Sequence, residues 1–252
     1  MKSWKIMLGA AAAALAFGST AMAQAPAAAA PPAPAYTFSF NGAYSTDYIF
    51  RGLSQTSGKG AASGGADFVA GMVYAGVWAS QVDFGATAGD PSNSTQFEYD
   101  LYGGFRPALG PVNLDIGVIR YGYTSSPTAA HYEYYEGKLA GTYATGPNTL
   151  GGAFYYSPEF FGKTGAAQYY EINDAFTLSN KATLSGAVGY QALDKKKAGI
   201  NGYTQYNFGV TYPVTDHFGV DVRFWGTDSK ATSLYTKTFA GDRFVLTLKA
   251  AF

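Results

Sequence analysis

The stretch YTFSFNGAYSTDYIFR, residues 36–51, carries two chemistries in alternation. Tyr36, Phe38, Phe40, Tyr44, Tyr48 and Phe50 fall on one face, and Thr37, Ser39, Asn41, Ser45, Asp47 and Arg51 fall on the other. A period of two is the signature of a β-strand whose faces meet different surroundings. The same pattern returns in Phe97, Tyr99, Leu101 and Phe105 against Glu98, Asp100 and Arg106, and in Leu114, Ile116 and Val118 against Asp115. Phe218, Val220, Val222 and Phe224 against Asp221 and Arg223 show it once more. Twelve such segments are centred near residues 43, 67, 78, 101, 118, 138, 153, 173, 188, 207, 222 and 247. An even count suits a closed bacterial membrane barrel, and merging one hairpin gives ten.

Working outward, residues 1–23 read as a cleavable secretory signal, with Lys2 and Lys5, an apolar run from Ile6 to Phe17, and Ala21-Met22-Ala23 before the cut. Residues 24–35 are almost entirely Ala and Pro and read as a semi-rigid tether. The barrel is expected over residues 36–252. Removing Lys2 and Lys5 leaves 15 basic against 17 acidic residues, with no basic stripe for nucleic acid. There is no cysteine and there are only two histidines, so no cofactor or metal site is expected. Tyr 21, Phe 18 and Gly 32 with 13% charged residues favour sheets and turns over helices.

What the apolar face avoids separates a membrane barrel from a secreted sandwich. Arg or Lys facing lipid at mid-depth costs about 2–4 kcal/mol. Nine of the twelve apolar registers carry no charge. Arg120 and Glu133 break the rule at outer strand ends, and Asp174 breaks it near mid-strand, where a bulge or a misplaced turn is the expected cause. Short connections near Gly71-Met72, Arg106 to Pro111, Ala144 to Thr149, Ser179 to Lys181 and Pro213 to His217 alternate with six longer ones. The longer ones run near Gly52 to Gly60, Gly85 to Asn93, Thr124 to Ala130, Pro158 to Ala166, Asp194 to Gly199 and Thr227 to Gly241. This places both termini in the periplasm and the barrel in the outer membrane.

The polar register defines the expected lumen. Its charges are Asp47, Arg51, Asp67, Asp100, Asp115, Glu136, Lys138, Glu171, Asp221 and Arg223, joined by Asp83, Glu98, Arg106, Arg243 and Lys249. Acids outnumber bases, which predicts a weak cation preference, with Asp47, Asp67 and Asp100 near mid-depth and Arg51 toward the outer mouth. In the last strand Phe244, Leu246, Leu248 and the terminal Phe252 form the expected barrel-assembly signal. The doublets Tyr134-Tyr135, Tyr155-Tyr156 and Tyr169-Tyr170 suit an interfacial girdle, each turning one ring inward.

The blocks AYSTDYIFRGLSQTSGKGAASGG, VYAGVWASQVDFG, FEYDLYGGF and DIGVIRYGY resemble the TorF family of porin-like bacterial proteins of unknown function. The resemblance implies an outer-membrane pore and brings no catalytic residues. The expected partners are outer-membrane lipids including lipopolysaccharide, the barrel assembly machinery and small polar solutes; the run Lys195 to Lys197 suits lipopolysaccharide phosphates.

The leading reading is a passive channel for small polar solutes or ions. The alternative is a closed structural or adhesive barrel with an ion-paired lumen. A rim hydrolase built on His131 is the remote third: Tyr132 and Glu133 follow the histidine, so the His-x-Ser spacing of lipid A deacylases is absent.

Overall fold

An alternating segment becomes a strand when its two faces can be satisfied at once, and here lipid and lumen satisfy them. The computed structural model describes residues 36–84, 95–126, 130–178 and 181–252. The expected signal, the tether, the connection 85–93 and parts of 124–130 and 179–181 lie outside the described residues. Twelve long strands form the wall: β1 Thr37–Ser45, β2 Ala61–Ala70, β3 Val73–Gln81, β4 Phe97–Phe105, β5 Val112–Thr124 and β6 Tyr134–Thr145. They continue as β7 Asn148–Ser157, β8 Ala167–Thr177, β9 Thr183–Leu193, β10 Gly202–Pro213, β11 Phe218–Thr227 and β12 Arg243–Ala251.

Each strand pairs antiparallel with its neighbours in sequence, and β12 returns to β1 with Tyr44 opposite Leu248 and Ser45 opposite Thr247. The sheet is therefore a closed up-and-down barrel with no free edge. No helix among the described residues is long and apolar enough to cross a membrane.

The registers fix which side chains face out. Phe38, Phe40, Tyr44, Leu101, Val118, Ile172, Phe208 and Phe244 all point outward and are exposed, as a lipid-facing belt requires. Within the described strands that outward register carries two charges, Arg120 and Asp174. Arg120 lies near the outer rim, donating to Glu133 at 2.8 Å and to the Tyr99 hydroxyl at 3.2 Å. Asp174 needs no bulge: it sits in unbroken register between Leu150 and Gly186, three residues from the periplasmic end of β8. The expected irregularity is replaced by a position close to the inner headgroups.

The first strand is shorter than the alternation predicts. β1 ends at Ser45, and residues 46–60 turn into the lumen instead of extending the wall. Tyr48 is consequently buried inside the barrel and Phe50 half-buried, where the sequence pattern put both toward lipid. The segment folds as a small hairpin, Ile49–Phe50 against Leu53–Ser54. Its two-residue turn, Arg51-Gly52, has φ of 50° and 81°, the left-handed pair of a type I′ turn. The last outer connection also holds structure: α2, Ser229–Ala240, is capped by the Asp228 carboxylate and broken at Thr236. A one-turn helix α1, Lys195–Ala198, occupies the preceding outer connection.

Candidate functional site: the lumen and its inner loop

The inward register builds two different halves. Toward the periplasm it presents Gly117, Gly151, Ala187 and Gly209, small residues that remain part-exposed to the interior. The charged residues there are held against the wall by their neighbours. Asp115 accepts from Lys138 Nζ at 2.6 Å, the Tyr74 hydroxyl at 2.6 Å and Arg106 Nε at 3.2 Å. Arg106 itself sits in the periplasmic turn at the barrel mouth, its guanidinium 4.0 Å from the Tyr74 ring centre. Asp67 accepts from Tyr102 at 2.6 Å and lies in the periplasmic half of β2.

Around the opposite wall, Asp221 accepts from Thr211 at 2.6 Å and Arg223 at 3.0 Å, with Lys249 Nζ at 3.6 Å. Arg223 also donates to Asn207 and to the Ser185 hydroxyl, each at 2.8 Å. Glu171 accepts from Tyr169 at 2.6 Å and Asn173 at 3.3 Å.

The outer half is filled by the inner loop. Asp47 anchors its base, accepting from Ser54, Thr56 and Arg243, each at 2.7 Å. At the tip, Arg51 crosses the lumen to the far wall. One guanidinium nitrogen donates to both Glu136 oxygens at 2.8 and 2.9 Å, and the other donates to Gln191. The Tyr169 ring centre lies 4.2 Å from the guanidinium and the Phe50 centre 4.8 Å, so the cation is enclosed by π-faces as well as paired. Arg51 and Glu136 side chains are 2% and 1% exposed. The alignment is tight: a Cβ at Gly52 would lie 2.7 Å from both Gln205 and Thr227. Asp47 and Arg51 thus reach the lumen from this loop and not from a wall strand, as the alternation had implied.

Glu98 and Asp100 are both buried on the inward face of β4, and the Tyr48 hydroxyl of the loop donates to Glu98 at 3.1 Å. Asp83 lies in the outer connection, paired with Lys59 at 2.6 Å. Gln191 and Gln205 join the network without having been singled out by their sequence, because an uncharged polar residue on an inward register carries no distinguishing signal. The Arg51-Gly52 dipeptide between short apolar pairs did carry one, as a hairpin turn.

Above the loop, aromatic rings line the outer mouth: Tyr123, Tyr132, Tyr134, Phe160, Phe161 and Tyr203 surround a cavity of about 210 Å³. The doublets divide as alternation requires, with Tyr134, Tyr155 and Tyr169 inward and Tyr135, Tyr156 and Tyr170 outward. Burial pushes the Tyr235 phenol of α2 up to about 12. The Glu159 carboxyl in the outer connection is held below its ordinary value by the Gly165 N–H at 2.7 Å, then by Lys197. Among the described residues the His131 ring has no hydrogen-bond partner, and the His217 ring meets the Ala251 carbonyl and stacks on Phe252.

A closed twelve-stranded barrel with a lipid-facing belt and a charged, loop-constricted lumen defines a porin-like protein of the outer membrane. Residues 28–252 match a family described as "Bacterial protein of unknown function (Gcw_chp)", and the chain belongs to that family. No curated protein sequence matches it. Among solved structures, the KdgM porin superposes with a TM-score of 0.57 at 10% identity, covering 85% of this chain and 99% of that one. The NanC porin gives 0.55 at 9% identity, covering 86% of this chain and 99% of that one. These likenesses are likenesses of fold.

Proposed function

We propose that the protein is a narrow passive channel for small polar solutes or ions, with the inner loop as its constriction. The observation that carries this reading is the division of labour in the lumen. The periplasmic half pins its charges at the circumference and leaves small inward residues part-exposed, while in the outer half a separate loop packs against inward rings of the wall such as Trp78, Tyr121 and Tyr169. The resemblance to the TorF family supports the same reading.

The buried Arg51–Glu136 pair favours a second reading, a closed structural or adhesive barrel, if the loop never leaves the lumen. Acidic residues outnumber basic ones along the path, so a weak cation preference follows from focusing of the field by the narrow low-dielectric wall. On the outside, the exposed lysines of α1 suit the phosphates of lipopolysaccharide. The outward-facing Phe244, Leu246, Leu248 and Phe252 suit recognition by the assembly machinery.

Liposome swelling with the purified mature protein tests the proposal. Swelling with small polyols and none with larger oligosaccharides is expected. Absence of swelling for every solute, with the loop in place and with it shortened, refutes the channel.

A further inference from the structure

We propose that the aromatic chamber at the outer mouth is a binding site for an uncharged, planar aromatic molecule bearing a hydrogen-bonding group. The chamber holds about 210 Å³, room for one or two fused rings. Its floor is the inner hairpin, through Phe50 and Leu53, and its walls come from β5, β6 and β10 together with the outer connections.

The lining rings stand at steep angles to one another, so faces and edges are both presented. Tyr134 and Phe160 meet edge to face at 4.8 Å and 65°, Tyr203 and Tyr235 at 5.9 Å and 76°, whereas Tyr132 and Phe161 stack at 4.4 Å. A flat ring entering such a site gains both offset-stacked and edge-to-face contacts.

The hydroxyls of the lumen tyrosines supply a second, independent observation. Tyr48, Tyr74, Tyr102, Tyr121 and Tyr169 each donate to a carboxylate. Tyr134, Tyr203 and Tyr235 all line the chamber, and among the described residues none of their hydroxyls has a hydrogen-bond partner. Tyr134 and Tyr203 are 3% and 2% exposed. These three hydroxyls open onto one cavity and are free to meet a polar group of a guest.

Charge sets the class of that guest. Among the described residues no charged side chain lines the chamber, and Arg51 beneath it is already matched by Glu136. An ion entering there loses hydration without gaining a counter-charge, whereas a neutral ring loses little.

The chamber lies directly above the constriction, and its test reads binding and not conduction. Indole is the probe, titrated calorimetrically into the folded mature protein in detergent, with protein-free micelles as background. Saturable binding of one indole per barrel is expected. Tyr203→Phe and Tyr235→Phe, which keep the rings, are expected to weaken it about three- to tenfold together. Leu53→Trp, which fills the floor, is expected to abolish it. Retention of heat-modifiable mobility shows that each variant is folded, and the two Phe variants keep the test decisive if Leu53→Trp does not fold. Binding that is absent, or unchanged in the folded variants, overturns the proposal. Saturable binding of methyl glucoside in place of indole overturns it equally.

Discussion

Replacing Glu136 by Gln should release the inner loop. The side chain keeps its shape and one acceptor, but the Arg51 guanidinium is left buried without its counter-charge. Both partners are almost fully enclosed, at 2% and 1% exposed, so solvent screening is slight. Breaking a buried pair on one side typically costs about 3–5 kcal/mol. At about 1.4 kcal/mol per tenfold, the docked-to-released ratio of the loop falls by roughly two to three and a half orders of magnitude. The loss comes from the unpaired charge more than from the missing bond. Replacing both partners, as Arg51→Met with Glu136→Met, should therefore release the loop less than either single change. Single-channel recording reads this as open probability, and a cysteine at position 53 reads it as access to an impermeant thiol reagent. A folded Glu136→Gln protein with unchanged open probability and unchanged access refutes the latch. So does a double variant that opens further than both singles.

Three other expectations follow. Gly52→Ala should act in the same direction, because a left-handed φ costs an L-residue about 1–2 kcal/mol and the new methyl lies 2.7 Å from Gln205 and Thr227; recording of open probability checks it. The Glu159 carboxyl titrates below its ordinary value of 4.5 in the folded protein, so its link to Gly165 is fully present above that value. It is lost as pH falls through the depressed one, and amide exchange at Gly165 should show protection at neutral pH that disappears in acid. Deleting Phe252 removes a ring packed on His217 and two backbone bonds to Phe40, each 2.9 Å, that help close β12 on β1. Heat-modifiable folded protein in outer membranes should fall, and an undiminished yield removes the claim.

The wall was legible because every one of its strands obeys the same period and the same constraint from lipid. Phe244 and Leu246 must face out for the same reason that Arg243 and Thr247 must not. The inner loop was not legible from period alone, because Tyr48 and Phe50 continue the alternation of β1 while the chain has already left the wall. An aromatic residue is equally at home against lipid and in a crowded lumen, so its hydrophobicity does not choose between them. What chooses is three-dimensional: the left-handed Arg51-Gly52 turn, and the Ser and Thr residues that gather on Asp47. Asp174 misled in the opposite sense, since its distance from the strand end mattered more than its register. The helix over residues 229–240 was announced by the Asp228 cap but lies in a connection whose periodicity is too short to read.

The central claim is that the inner loop, docked among the inward rings of the wall, is the movable part of this barrel's closure. Single-channel conductance across a planar bilayer tests it most directly, comparing the mature protein with a variant whose residues 48–56 are replaced by a short Gly-Ser turn. The variant is expected to show larger and more frequent discrete steps than the parent, with a reversal potential biased toward cations in a salt gradient. A folded variant that stays silent, or conducts as the parent does, contradicts the account.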